Sequence, residues 1–522
     1  MSTEALLAGG GGGGDRRRVS IDEALAEHAG EFGRWQLRHF VLVSAAWALE
    51  ALHSMVIIFA DREPPMSCLA AAGASCGADR CAVGSGWGWA QGSASSTVAE
   101  WGLVCGERYK VGLVQAIFFA GCMIGAGVFG HLSDSFLGRK GSLQVACFLS
   151  AIFGLLTALS PNYWAYAALR LLTGFSTGSV GLCSFVLATE PIGPSRRGAA
   201  GMSTFYFFSG GIAALAGVAA LFQSSWRALY VFTSLPSLAF ALAVLPFVSE
   251  SPRWFLVRHR AHDALRVLRD IASKNGRVFP DGVTLKLDDD VEEDDENVDK
   301  NNKVEEQERN SASDSSILDV FRSRTTRARL VLSVLINLLC SVVYYGLSLN
   351  VVNLKTNLYV SVAINSLAEM PAYLLTALLL DRFGRKPLGI GTMLLSGAFC
   401  IAGSLIVPGA GAGGAMRIVR MGCGVVGIFG MAATYNLLFI YTAELFPTVV
   451  RNAALGCTSQ ASQMGAILAP LVVVLGERVP FAVFGVSGIV GGLLVFYLPE
   501  TMNKPLYDTM AGLEEGEKTV LK

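Results

Sequence analysis

Gly130-His-Leu-Ser-Asp134-Ser-Phe-Leu-Gly138-Arg139-Lys140 closes one apolar stretch of the chain, and Asp381-Arg-Phe-Gly384-Arg385-Lys386-Pro387 closes another in the second half. Each phrase is a short polar turn between two segments long enough to cross a bilayer. A helix–tight turn–helix that occurs twice implies two homologous halves in a membrane, an architecture used above all by carriers. Composition agrees: 52% of the 522 residues are hydrophobic and 16% charged, with mean hydropathy +0.49, whereas soluble domains are about a quarter charged. The 41 basic and 41 acidic side chains cancel, which suggests no nucleic-acid partner.

Apolar spans of about 20 residues, the length that a hydrocarbon core of about 30 Å demands, fall at 39–60, 111–131, 142–160, 163–188, 199–222 and 228–248. After a polar insert come 329–349, 356–380, 387–407, 416–442, 453–475 and 479–498. The expected fold is therefore all-α and integral to the membrane, with twelve transmembrane helices in two six-helix halves, 39–248 and 329–498. Residues 1–38 and 499–522 are the flanking tails, and 249–328 is the loop between the halves. The first 37 residues, with a Gly run from Gly9 to Gly14 and Arg16-Arg17-Arg18, read as a flexible tail with no cleavable signal peptide.

Basic residues set the orientation. Arg34, Arg38, Arg139-Lys140, Arg196-Arg197, Arg382, Arg385, Lys386 and Arg451 all fall on one side, so both termini are expected in the cytosol. The long opposite-side loop, 61–110, contains Cys68, Cys76, Cys81 and Cys105. On an oxidising face these suggest two disulfides with three possible pairings; a zinc site is disfavoured because no CxxC pair is present. The loop between the halves opens with Glu250-Ser-Pro-Arg253-Trp254 and continues with apolar residues at helical spacing and cations opposite, the pattern of an amphipathic helix on the membrane face. It then turns acidic at Asp288–Asp290 and Glu292–Glu296, which reads as a solvated linker with Ser311 and Ser313 as weak phosphorylation candidates.

The polar residues of the repeated turn have physical tasks. Gly138 and Gly384 allow a sharp reversal. Asp134 and Asp381 can sit against a helix N-terminus, while Arg139 and Arg385, with Lys140 beside the first, seek carboxylates. Glu190 with Arg197, and Glu444 with Arg451, lie seven residues apart at the ends of the fourth and tenth spans and are the expected partners. Together they form a candidate gate that takes no part in ligand chemistry.

The repeated turn, Glu250-Ser-Pro-Arg253-Trp254, Glu444–Arg451 and Pro499-Glu500-Thr501 resemble the major facilitator superfamily, on its sugar and organic-ion branch. The four-cysteine loop, Ala99-Glu100-Trp101-Gly-Leu-Val-Cys105 and Tyr344-Tyr345-Gly346 resemble the organic cation/carnitine transporters, and Phe59-Ala-Asp61-Arg-Glu63-Pro64 is similar to the plant members. The resemblance implies a carrier of organic cations or zwitterions (carnitine-like betaines, polyamines) that works by alternating access, with protons or sodium as candidate coupling ions and no cofactor. The membrane is expected to be the plasma membrane or the vacuolar membrane. It also implies a carboxylate at Glu369 in cation-transporting members. At Gln463, cation carriers tend to have Asp and anion or carnitine carriers Arg; this chain has an uncharged amide.

An ionisable side chain at mid-bilayer costs about 2.5–3.5 kcal/mol unless it faces a cavity or a partner. Glu369, about halfway along the eighth span, is the leading candidate for substrate or proton handling, against an ion pair with Arg170 of the fourth span. Glu50, with His53 one turn on, is a candidate for proton handling. Arg170 is expected mainly to fix its helix through a buried ion pair. Tyr206, Tyr344, Tyr345 and Tyr435 can build an aromatic cage for quaternary ammonium, worth about 2 kcal/mol or more when desolvated. The alternatives are a proton-coupled sugar or small-solute carrier, and a solute receptor without transport. No Gly-x4-Gly-Lys-Ser/Thr loop is present for ATP-driven pumping, and no hydrolytic, redox or metal constellation is seen, so the chain is not read as an enzyme.

Overall fold

The computed structural model describes residues 18–68, 87–280, 282–285, 324–354, 356–406, 414–502 and 513. In a bilayer every backbone N–H and C=O must bond internally, so apolar spans become helices. Among the described residues twelve helices fall on the apolar spans: α1 (Arg34–Met55, continued by Ile57–Ala60), α2 (Tyr109–Asp134), α3 (Gly138–Thr157), α4 (Tyr163–Thr189), α5 (Pro194–Leu221), α6 (Trp226–Ala239), α7 (Arg324–Leu349), α8 (Leu358–Phe383), α9 (Arg385–Leu405), α10 (Gly414–Leu445), α11 (Thr448–Val473) and α12 (Val479–Phe496). Eleven meet a membrane-span criterion of length and apolarity. The remaining one, α11, has 26 residues, about 39 Å at 1.5 Å per residue.

Several helices run past their apolar spans into the polar turns: α2 reaches Asp134 and α8 reaches Phe383. Helix α6 ends differently. Pro236 lies inside it, and the chain then loosens into a wider π turn over Phe240–Val244 and a 3-10 turn over Leu245–Phe247.

Packing repeats between the halves. Helix α1 packs on α5 as α7 does on α11, α2 on α4 as α8 on α10, and α3 on α6 as α9 on α12. The halves meet through α2 against α11 and α5 against α8. Helices α2 and α4 are drawn together by glycine: a Cβ at Gly125 would lie 1.8 Å from the Phe175 carbonyl oxygen.

Two expectations fail at the end of the bundle that carries the repeated turns, called here the turn end. From Arg18 onward the N-terminal segment is not a loose tail. β1 (Arg18–Val19) pairs parallel with β4 (Thr284–Leu285), and Ser20 and Glu23 form a reciprocal capping box. Val19, Ile21, Leu25, Ala29 and Trp35 then form a small core with Leu256, Ala264, Leu268 and Ile271. The second correction follows from the first. The amphipathic loop helix, Ala261–Lys274, buries its apolar face in this core and not in lipid. An apolar stripe needs any dry partner, and the N-terminal segment supplies one.

At the opposite end β2 (Met66–Cys68) pairs antiparallel with β3 (Trp87–Trp89). Cys105 is disulfide-bonded, while the seven span cysteines, Cys122 to Cys457, are free. Cys76, Cys81, the Cys68 side chain and the acidic and serine-rich stretch of the loop lie outside the described residues.

Candidate functional site

Helix α8 carries Glu369 into the middle of the bundle, where it is 1% exposed. Its Oε2 accepts hydrogen bonds from Ser209 Oγ at 2.5 Å, Tyr373 OH at 3.0 Å and Tyr344 OH at 3.1 Å. Ser209 comes from α5, so the cluster straddles the two halves. Rings surround it. Tyr344 stacks on Tyr435 at 5.2 Å and meets Tyr345 edge-on at 5.3 Å. Tyr345 meets Phe119 of the first half at 4.8 Å, and Tyr206 meets Tyr373 at 5.7 Å.

All three partners of Glu369 are hydroxyls, and among the described residues no Lys, Arg or His lies within ion-pair distance of it. A carboxylate in a low-dielectric interior interacts strongly with any cation that reaches it. Tyrosine faces add a quadrupole attraction that suits onium groups.

Arg170 does not join this cluster. Its Nη1 donates to the His53 carbonyl at 3.1 Å and its Nη2 to Gln115 Oε1 at 3.4 Å, and the guanidinium lies 4.1 Å from the Phe118 ring centroid. The expected buried ion pair is therefore absent among the described residues. Neutral acceptors and ring faces carry the charge instead, tying α4 to α1 and α2. Glu50 lies on α1 against Gly181 of α4, where a Cβ would come within 2.3 Å of its Oε2. His53 bonds Ser237 Oγ at 3.0 Å and not Glu50. Gln463 is half-buried on α11, with no hydrogen bond to the tyrosine cluster among the described residues.

The turn end holds a duplicated polar network. In the first copy Arg139 reaches Glu190 at 3.4 Å and Asp134 at 2.8 Å, and Ser251 Oγ donates to Glu190. In the second Arg385 forks onto Glu444, with Nε and Nη2 each at 2.9 Å, and Thr501 Oγ1 donates to Glu444 at 2.6 Å.

The residues at the two helix N-termini differ from those expected. Glu250 accepts from the backbone N–H groups of Arg139, Lys140 and Ser251 at 2.9–3.2 Å. Glu500 accepts from Arg385, Lys386, Thr501 and Met502 at 2.8–3.0 Å. These glutamates occupy the positive helix ends that Asp134 and Asp381 were expected to face. Asp134 is instead 74% exposed and pairs within its own turn, because it ends α2 and does not begin α3. The Asp381 side chain lies outside the described residues, so the expected contacts of Arg451 with it do too. Gly138 and Gly384, at φ +75° and +89°, fit under the two glutamates, where a Cβ would meet a carboxylate oxygen at 2.3 and 2.7 Å.

Burial pushes the Glu250 carboxyl above the usual range despite its backbone donors. Burial also acts on Glu500, but its four backbone N–H groups outweigh it and hold that carboxyl below the usual range. Arg197 departs from expectation as well, since it pairs with Asp22 of the N-terminal segment at 2.5 Å. Arg253 meets the same Asp22.

Both ends of the bundle are bridged. Phe185 of α4 meets Phe439 of α10 at 5.7 Å in the half nearer the turns. At the opposite end Arg62 donates to Tyr359 OH at 2.5 Å, Phe59 stacks on Tyr359 at 5.4 Å, and Arg108 donates to Asn353 Oδ1 at 3.3 Å. Glu369 lies buried between these two sets of contacts.

Sequence reasoning missed Tyr373 and Ser209. Tyr373 sits one helical turn after Glu369, a spacing that could have found it. Ser209 carries no such signal, because it comes from the other half.

Comparison with known proteins places this geometry. The sugar (and other) transporter family matches residues 90–511. The chain is 63% identical to organic cation/carnitine transporter 4 of Arabidopsis thaliana over 503 residues, covering 96% of this chain and 92% of that protein. It is 34% identical to an organic cation transporter-like protein of Drosophila melanogaster, covering 81% and 74%. Among solved structures, the proton:xylose symporter XylE bound to 6-bromo-6-deoxy-D-glucose aligns with TM-score 0.62 at 17% identity, covering 92% of this chain and 98% of that one. At that identity the likeness concerns the fold.

Proposed function

Because the chain belongs to the major facilitator superfamily, on the organic cation/carnitine branch of its sugar (and other) transporter family, we propose that it carries organic cations or zwitterions across the membrane by alternating access. The observation that carries this reading is the buried Glu369 carboxylate, held by three hydroxyls and ringed by tyrosines from both halves. A quaternary ammonium or protonated amine supplies the positive charge that Glu369 lacks, and the rings of Tyr344, Tyr345 and Tyr435 receive its alkyl groups. A carnitine-like betaine presents the same onium end, and Gln463 offers an amide to its carboxylate without the repulsion an Asp would bring.

Since Ser209 and Glu369 belong to different halves, a cation inserted between them alters a contact across the interface. That is the coupling alternating access requires. Glu50, as a second membrane carboxylate, is the candidate for proton coupling, and sodium is the competing ion. The basic residues at the turn end support placing that end and both termini in the cytosol, in the plasma membrane or the vacuolar membrane. Arg139–Glu190 and Arg385–Glu444 then form the cytosolic gate.

Uptake of radiolabelled carnitine, tetraethylammonium, putrescine and glucose into vesicles, with and without pH and sodium gradients, tests the proposal. Saturable uptake of an onium or amine substrate is expected, weakened about tenfold or more by Glu369→Gln at unchanged surface expression. Saturable uptake of glucose alone would overturn the reading in favour of a sugar carrier. Loss of all uptake would favour a receptor.

A further inference from the structure

Between the short helix Pro252–Val257 and the loop helix Ala261–Lys274 the chain leaves a surface recess of about 450 Å³, lined by Phe136, Trp254, Val257, Arg258, His259 and Arg260. Three successive basic residues thus border one hollow, and His259 takes a φ of +56° at its centre. Two of the lining residues are large, apolar and open to the surroundings: Phe136 is 69% exposed and Val257 60%. Phe136 belongs to the turn between membrane helices α2 and α3, so these side chains lie where the helices leave the hydrocarbon.

Charge extends from the recess along the loop helix. Residues 253–277 contain six Arg and one Lys against two Asp, Asp263 and Asp270. The apolar face of that helix is occupied by the N-terminal segment, which leaves Arg266, Arg269 and Lys274 exposed. Asp263 pairs with Arg260 at 2.8 Å and with Arg266 at 3.2 Å. Arg258 has no carboxylate within 4 Å among the described residues.

We propose that this recess binds the headgroup of an anionic phospholipid, its phosphate held by Arg258, His259 and Arg260 and its acyl chains lying along Phe136 and Val257. Guanidinium forks match phosphate oxygens, and juxtamembrane cations are attracted to an anionic leaflet. Apolar side chains beside the cations distinguish a lipid from a free phosphate, which has no use for them. The site rests on the proposed cytosolic placement of the turn end only for the choice of leaflet.

Native mass spectrometry of the full chain in detergent tests it without reference to topology or uptake, so failure of the carrier reading leaves the result standing. The probes are dioleoyl phosphatidylglycerol, dioleoyl phosphatidylcholine and glycerol 3-phosphate. Phosphatidylglycerol is expected to be retained about tenfold better than phosphatidylcholine. Arg258→Gln/Arg260→Gln should abolish that preference, and Arg269→Gln/Lys274→Gln, with the same loss of charge, should keep it. Phe136→Ser, which changes no charge, should weaken retention about threefold at an unchanged thermal midpoint. Equal loss in the two charge variants, equal retention of the two lipids, no effect of Phe136→Ser, or displacement of phosphatidylglycerol by equimolar glycerol 3-phosphate would each overturn the assignment.

Discussion

At the first turn Arg139 touches Glu190 through one nitrogen at 3.4 Å, whereas at the second Arg385 grips Glu444 through two nitrogens at 2.9 Å each. Around both, the same parts recur: a glycine with positive φ, a glutamate on the next helix N-terminus, and a hydroxyl on the partner glutamate (Ser251 in one half, Thr501 in the other). The first half compensates from outside the repeat, with Asp22 of the N-terminal segment joining Arg197 and Arg253. Beside the first turn this places a small accessory core that has no counterpart beside the second among the described residues. Three residues separate Asp134 from Gly138 in the first turn and two separate Asp381 from Gly384 in the second, yet the backbone N–H groups of Arg139 and Lys140 meet Glu250 as those of Arg385 and Lys386 meet Glu500.

The largest effects should come from the glycines. Gly384→Ala places a Cβ at φ +89°, ψ 172°, a region essentially reserved for glycine, and against Glu500. A loss of about 3 kcal/mol is expected, read as a large fall in the thermal midpoint of purified protein. Gly138→Ala should behave alike, and a silent variant at either site would break the equivalence of the two turns.

Next in size are the ion pairs. Double-mutant cycles with Gln replacements should give a coupling of about 2 kcal/mol for Arg385–Glu444 and under about 1 kcal/mol for Arg139–Glu190. Equal couplings would show that one nitrogen serves as well as two.

A smaller effect separates the capping glutamates by pH. The Glu250 carboxyl is raised, so its contribution to stability is full below the ordinary carboxylate pKa and is lost as pH climbs through the raised value. The Glu500 carboxyl is lowered, so its contribution is present above the ordinary pKa and is lost as pH falls through the depressed value. At neutral pH Glu500→Gln should therefore cost about 1 kcal/mol and Glu250→Gln less. Thermal midpoints of both variants from pH 4 to pH 8 check the order, and a larger cost for Glu250→Gln would reverse it.

The smallest change is Asp22→Asn. It removes a partly exposed pair of bonds worth about 1 kcal/mol or less, but it should lower protection from hydrogen exchange in residues 18–30. Unchanged exchange there would separate the accessory core from the first lock.

The halves were legible because membrane helices advertise themselves by apolar length, and the turns because Asp, Gly, Arg and Lys recur in one order. Glu369 stood out for a similar reason: a carboxylate in an apolar span is conspicuous. The roles of Glu250 and Glu500 were not legible, since each caps a helix more than 100 residues away in the chain. The loop helix misled because hydrophobic periodicity specifies a face to bury and not what covers it.

Sequence alone determined the twelve helices, their division into two halves and the residues of the repeated turn, because those depend on local composition and spacing. Tertiary structure decided that Ser209 meets Glu369 across the interface, that Arg170 leans on neutral acceptors, and that Asp22 meets Arg197 and Arg253 beside the first turn. Those contacts join residues 55 to 231 positions apart, and the packing of helices, not their pattern, brings such residues together.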